Sequence, residues 1–318
     1  MRFQRVRFRV LRAVIFTALG LFLTVSCRKS IETSSVEKPV VESVKPAPRS
    51  LLGASAELAS KNQSGESGFL LLDRGNQALA WRTRLADAAE SSIDAQYFLW
   101  KNDDAGKIMM QRLIAAAERG VRVRVLVDDS MTESNPRYLA TFGAHPNVAV
   151  RIYKPFGPKG KSLVMRWLDY ASDLKILNRR MHNKVFVVDG SYSIVGGRNI
   201  GNEYFEYIGP FIFRCRDLMA VGPVVNSTSS GFDQYWNSDW TVPIEDVISS
   251  APSPEASRKA WDELAEFATE RARYPSGFFD LPTDFRAAWE SVKNQLYWGN
   301  ARLLIDAVPP IKGQPENR

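Results

Sequence analysis

Arg180-Met181-His182-Asn183-Lys184-Val185-Phe186-Val187-Val188-Asp189, continued through Gly196-Gly197-Arg198-Asn199 to Tyr204-Phe205, is the stretch whose reading decides the fold. Val185 to Val188 is a short β-branched, apolar run closed by Asp189-Gly190, a turn signal, and Tyr192 to Val195 is a second run ending at two glycines. The pattern predicts a β-hairpin. Alternation along a strand places His182 and Lys184 on one side at its start. An imidazole beside an ammonium suits a phosphate diester: the imidazole serves as nucleophile or proton donor, and the ammonium neutralises a non-bridging oxygen as charge builds.

The spacing His182-x-Lys184, four residues, Asp189, six residues, Gly196-Gly197-x-Asn199 resembles the HKD motif of the phospholipase D superfamily. The flanks Asn178-Arg179-Arg180-Met181 and Gly201-Asn202-Glu203-Tyr204-Phe205 resemble its cardiolipin synthase branch more than its nuclease branch. The resemblance implies a covalent phosphohistidine at His182, with Lys184 and Asn199 holding phosphate oxygens and a second HKD motif supplying a second histidine as general acid and base. Asp189 is the motif's acidic position, although a turn Asp also satisfies backbone donors. Gly196, Gly197 and Arg180 line the implied substrate site. A catalytic imidazole needs its other nitrogen held by an acceptor. Asp217, which resembles the family's acid on the neighbouring strand, is the candidate, the alternative being an ion pair with Arg214 or Arg216. Where the family often has another acid two positions earlier, Cys215 stands, and Asn202 also replaces a common acid.

Outward from the motif, strands are expected over Phe69 to Leu72, Ser92 to Leu99, Val121 to Val127, residues 148 to 153 and Arg216 to Val221. Helices fall between them. One carries Ala78, Trp81, Leu85 and Ala88 on a face; the next starts at Asp103-Asp104, buries Met109, Leu113 and Ala116, and ends at Gly120. Strand, helix, strand at these lengths is a βαβ unit, so the fold class is α/β, a mixed, largely parallel sheet flanked by helices. A helix follows Gly222-Pro223 as far as Trp236, another begins at Ser253-Pro254-Glu255, and a third carries Phe285, Trp289, Val292 and Leu296 before Gly299. Ala301 to Ala307 reads as a further strand. Lys161 to Leu177 has the pattern of a basic amphipathic helix, which suits either an acidic membrane surface or plain solvent. Gly157-Pro158-Lys159-Gly160-Lys161-Ser162 is no P-loop, because Pro155 falls where that pattern's first glycine belongs.

The chain has 318 residues, 45% of them hydrophobic, and a net charge of +7, enough apolar content for a substantial core. Residues 1–27 hold five arginines and no acid, and removing those five charges leaves +2 for the rest. Basicity therefore belongs to a targeting segment, and nucleic acid is disfavoured as partner. The arginines precede an apolar run, Ala13 to Ser26, short of the roughly 20 residues a spanning helix needs. Leu23-Thr24-Val25-Ser26-Cys27 resembles a bacterial lipobox, with Cys27 the lipidated residue. Residues 1–27 are thus expected to be a signal peptide, 28–67 a flexible tether rich in Ser, Pro, Glu and Lys, and 68–318 a phospholipase D-like lobe. The expected setting is the cell envelope of a bacterium, as a membrane-anchored lipoprotein facing the periplasm.

The reading calls for no cofactor and no metal, and with Cys27 acylated Cys215 has no disulfide partner. The other histidine, His145, lacks a Lys two residues on and reads as a loop residue. A second HKD-bearing lobe is therefore absent from this sequence. A longer chain, a partner chain or a homodimer would supply it, and an inactive half-domain is the remaining reading. The expected partners are a phospholipid membrane and that second motif. The expected activity is phosphodiester cleavage or phosphatidyl transfer on phospholipids; a homodimeric endonuclease and a non-catalytic headgroup-binding or partner-binding domain are the alternatives.

Overall fold

The computed structural model describes residues 38–129, 136–155, 180–209, 212–248 and 250–308. Residues 1–27 with Cys27, the tether as far as residue 37, and Lys161 to Leu177 lie outside them. The described strands are β1 (Ser67–Leu72), β2 (Ser92–Tyr97), β3 (Arg122–Asp128), β4 (Val148–Tyr153), β5 (Val185–Val188), β6 (Tyr192–Gly196), β7 (Asp217–Val221), β8 (Thr241–Pro243) and β9 (Tyr297–Gly299). They form one sheet in the order β8-β4-β3-β2-β5-β6-β7-β1-β9. The sheet is mixed, as expected, but its parallel pairings are confined to β2 with β3 and β3 with β4. The other neighbours are antiparallel because hairpins and edge returns build that half.

The helices are α1 (Leu51–Ser60), α2 (Gly75–Ala88), α3 (Asp104–Glu118), α4 (Pro136–Gly143), α5 (Val224–Trp236), α6 (Ile244–Val247), α7 (Pro254–Phe267) and α8 (Phe285–Val292). Caps set their ends where the sequence marks them. Asp103 accepts from Gly106 N at the start of α3, Ser253 from Ala256 N at the start of α7, and Gly120 takes a φ of +94° just beyond α3.

β2 is buried on both faces. Tyr97 on one face accepts from Arg82 of α2 (3.0 Å), whereas Asp94 on the other pairs with Arg124, which also binds Asp233 of α5. α2 and α5 therefore cover opposite faces. The hairpin expected at the motif forms with Val185 opposite Val195 and Val188 opposite Tyr192. Its open end lies at the carboxyl ends of the three parallel strands, because β5 runs antiparallel to β2 and Val185 pairs with Gln96.

Three expectations fail. Residues 38–67 are not a flexible tether. Lys38 Nζ donates to Ser238 O and Thr241 O, Arg151 reaches Pro39 O, Arg124 reaches Val41 O and Ser43 Oγ, and residues 51–60 form α1 with Leu52 buried. Buried arginines on the sheet satisfy this polar segment's backbone, and composition does not register partners so remote. Ala301 to Ala307 is not a strand: Tyr297–Gly299 takes the free edge of β1. The residues after it run without pairing, Ile305 packing beside Met181, Phe232 and Tyr235. The helix expected as far as Leu296 ends at Val292, followed by the 3-10 turn Lys293–Gln295. Among the described residues, no helix is long and apolar enough to cross a membrane.

Candidate active site

His182 and Lys184 lie just before β5, not in it. Arg180 and Met181 hold this approach in place. Arg180 Nη1 donates to Lys154 O (2.9 Å), and Met181 N to Asp128 Oδ2 (3.1 Å) at the end of β3. The Lys184 ammonium sits 2.9 Å from His182 Nδ1 and 2.5 Å from His182 O. Phe98, the first residue past β2, lies beneath both, its ring 4.9 Å from the imidazole and 5.5 Å from Lys184 Nζ. The next residue, Leu99, donates its backbone N–H to Asn199 Oδ1 (3.1 Å), and Asn199 Nδ2 donates to Tyr204 Oη (3.1 Å). The exit of β2 thus brings three of the motif's residues to one place, His182 and Lys184 on Phe98 and Asn199 on Leu99.

Burial, opposed weakly by Cys215, lowers the Lys184 ammonium to about 8. Burial first, then the adjacent Lys184 charge, pushes the His182 imidazole below its ordinary value, so it is neutral at pH 7. An ammonium only donates, so Nδ1 accepts and the neutral ring carries its proton on Nε2. At rest, then, His182 presents a proton donor outward. To present a lone pair at Nε2 instead, Lys184 must leave Nδ1, and an incoming phosphate oxygen is the natural acceptor to draw it away.

The structure separates the other candidates from this pair. Asp217 does not reach His182: it is buried, with Oδ2 2.9 Å from Arg82 Nη2 and Oδ1 accepting from Arg198 N (3.2 Å). Its ion-pair partners are neither Arg214 nor Arg216. Asp189 sits at the far end of β5, roughly 16 Å of strand from Lys184. There it takes N–H bonds from Glu90, Ser91 and Ser92 and the Ser91 hydroxyl, so it fixes the entry to β2. Gly196 is a packing glycine and not a phosphate cradle, since a Cβ there would stand 2.2 Å from Asp217 Oδ1 and 2.5 Å from Arg216 O. Gly197 does border the site, against Cys215, its absent Cβ 3.5 Å from Sγ. His145 lies elsewhere, its Nδ1 accepting from Asn147 N and its ring against Trp261. Glu203 is paired with Lys101 (2.8 Å).

Sequence reasoning missed Phe98 and Tyr204 as parts of the site. Phe98 carries a signal in hindsight, as an aromatic directly after a strand that pairs with the motif strand; Tyr204 lies in the quoted flank.

A hairpin that delivers a His-x-Lys pair and an Asn to the carboxyl ends of a helix-covered mixed sheet defines a phospholipase D-like lobe. Residues 83–236 match the family described as "cardiolipin synthase, PLD-like domain", and the chain belongs to the phospholipase D superfamily, on its cardiolipin synthase-like branch. Cardiolipin synthase C of Escherichia coli (strain K12) is 40% identical over 82% of this chain and 54% of its own length. An uncharacterised protein of Helicobacter pylori (strain ATCC 700392 / 26695) is 30% identical over 79% of this chain and 49% of its own. The chain spans about half the length of these curated relatives. Among solved structures, Nuc of Salmonella typhimurium, a phospholipase D family member, shares 16% identity over 56% of this chain and 98% of its own, with a TM-score of 0.39.

Proposed function

We propose that this chain supplies one half-site for phosphodiester cleavage or phosphatidyl transfer on phospholipids, through a phosphohistidine at His182. The imidazole and ammonium held 2.9 Å apart on Phe98 carry this reading. Phosphate entry moves Lys184 from Nδ1 to a non-bridging oxygen. The ring proton passes from Nε2 to the vacated Nδ1, His182 Nε2 attacks phosphorus, the P–O bond to the leaving alcohol breaks, and the departing alkoxide takes a proton from a second acid. Water or an acceptor alcohol, giving its proton to that second group, next attacks phosphorus, and the P–N bond breaks to release His182. Similarity to a cardiolipin synthase supports the lipid side of the reading. The lipobox at Cys27 supports a membrane-anchored, periplasm-facing placement, and in the cell Cys27→Ala should release the protein from the membrane or stall processing.

The second acid is expected from another HKD-bearing lobe, a partner chain or a second copy. The test is turnover of phosphatidylglycerol vesicles, followed as cardiolipin or phosphatidic acid, against protein concentration with sedimentation in parallel and His182→Ala as control. Expected is feeble activity for the monomer and a rise with a second motif, since a general acid is worth about 10² to 10⁴ in rate. Full activity in a demonstrated monomer refutes the half-site, and metal-independent DNA cutting without lipid turnover refutes the lipid assignment.

A further inference from the structure

Between the motif's Tyr204 and β7, Phe205 and Tyr207 are buried, but Ile208, Ile212 and Phe213 have no part in the core or in the chemistry above. The base of this segment is fastened on both sides. The Tyr204 ring stacks on Phe213 (centroids 5.0 Å apart), Phe213 N donates to Glu203 O (2.8 Å), and Tyr207 Oη donates to Arg273 O (2.9 Å). Three of its described side chains project as apolar groups. Ile208 stands wholly in solvent, and Ile212 and Phe213 are half exposed. The strand face beyond adds Leu71 and Leu218, cross-strand partners that are also exposed.

Basic groups surround these residues. Arg214 is exposed with no partner among the described residues, while Arg74 and Arg216 are largely exposed, facing Glu206 and Asp73 respectively. A cleft of about 770 Å³ opens between the arginines and the apolar residues, and its floor includes Arg198 and Cys215. Cys215 borders Gly197, and Tyr204 holds Asn199, so the cleft adjoins the site.

We propose that this rim, Ile208 and Ile212 to Phe213 with Arg214 and Arg216, is the surface through which the protein meets an anionic phospholipid bilayer. The inference rests on the phospholipid reading of the site and names the face by which its substrate arrives. Isolated apolar side chains on a surface are ordinary, but a contiguous group ringed by guanidinium groups has the composition of a membrane interface. The apolar tips enter the acyl boundary, and the arginines meet headgroup phosphates at the depth where a lipid phosphodiester lies. The fastened base holds the rim against Asn199, so contact and catalysis share one orientation.

The test reads the rim's own position, because the amino-terminal region binds lipid on the reading above. In the full chain carrying Cys27→Ala and Cys215→Ser, an environment-sensitive thiol dye is placed at Ile208→Cys. A second protein carries it at Leu58→Cys, on α1, whose Ser55 bonds Tyr192 at the opposite end of the motif hairpin. Expected is a blue shift at residue 208, absent at residue 58, on vesicles containing phosphatidylglycerol, and little change on phosphatidylcholine alone. Arg214→Gln should raise the vesicle concentration required about fivefold. Four results overturn the proposal: a solvent-like dye at 208 on bound protein, equal shifts at both positions, equal shifts on both lipids, or no vesicle binding. A shift at 208 without vesicles, growing with protein concentration, assigns the rim to a second copy and also overturns it. His182→Ala should keep the full shift. Rim insertion with no lipid turnover even when a second motif is supplied would sink the catalytic reading and leave the surface standing.

Discussion

Replacing Asp189 with Asn separates a structural carboxylate from a chemical one. In the native protein its two oxygens receive four donors at 2.8–3.0 Å, from Glu90 N, Ser91 N, Ser91 Oγ and Ser92 N, and the residue is fully buried. Asn keeps the shape and tolerates the φ of +50°, but it offers one oxygen and turns an NH₂ toward N–H groups. With its oxygen in the place of Oδ1 it keeps three donors, but Glu90 N–H and the new NH₂ are left unsatisfied at about 1–3 kcal/mol each, so the expected loss is about 3 kcal/mol. With a urea slope of up to about 3 kcal/mol per molar, the unfolding midpoint falls by about 1 M or more. Asp189→Ala should cost more, because a β-carbon without a polar side chain in left-handed geometry adds about 1–2 kcal/mol. The assay is urea unfolding followed by tryptophan fluorescence, with turnover per folded molecule in parallel. An unchanged midpoint with turnover lowered a hundredfold would show that Asp189 acts in the chemistry and that this argument is wrong.

Turnover (kcat/KM) should rise with pH as His182 deprotonates below the ordinary imidazole value and fall again as Lys184 loses its proton near pH 8, so a pH–rate profile flat through pH 9 would contradict the buried ammonium. Arg124→Met leaves Asp94 and Asp233 without their shared guanidinium and should cost about 3–5 kcal/mol; limited proteolysis should then cut within residues 38–47, which native protein protects. Gly196→Ala drives a methyl into Asp217 and the Arg216 carbonyl and should cost about 1–3 kcal/mol, seen as a lowered Tm with the His182–Lys184 pair intact.

What the sequence discloses is local. The hairpin, the caps at Asp103 and Ser253 and the βαβ order follow from periodicity and end signals that act within a few residues. Apart from the early end of α8 at Val292, the failures concern partners remote in sequence. Nothing near Asp217 points to Arg82, which lies on a helix 135 residues earlier and takes its carboxylate at 2.9 Å. Nothing in the polar run around Ser43 shows that Arg124 and Asp233 will receive it. The motif's spacing carries His182, Lys184 and Asn199 to one place, but it does not distinguish a carboxylate that touches substrate from one that ties strand β2 to the hairpin turn. Asp189 is the second kind. Where the chain leaves a strand and its neighbour carries the motif, as at Phe98, adjacency in the sheet is the missing information.

The resting geometry bears on how many imidazoles the proposed reaction needs. Lys184 on Nδ1 leaves Nε2 protonated, the form that gives a proton away, whereas attack on phosphorus needs Nε2 bare. One ring cannot hold both forms at one instant, and the described carboxylates considered for the role are committed elsewhere: Asp217 to Arg82, Asp189 to the start of β2, Glu203 to Lys101. Two copies of such a site resolve the conflict without any further group. In one, the substrate phosphate draws Lys184 from its histidine, the ring proton moves to Nδ1 and Nε2 is left bare; in the other, Lys184 stays on Nδ1 and keeps Nε2–H ready for the leaving alkoxide. The division of labour between two equivalent motifs then rests on which of them holds the phosphorus, and the lysine contact is what makes the two histidines differ.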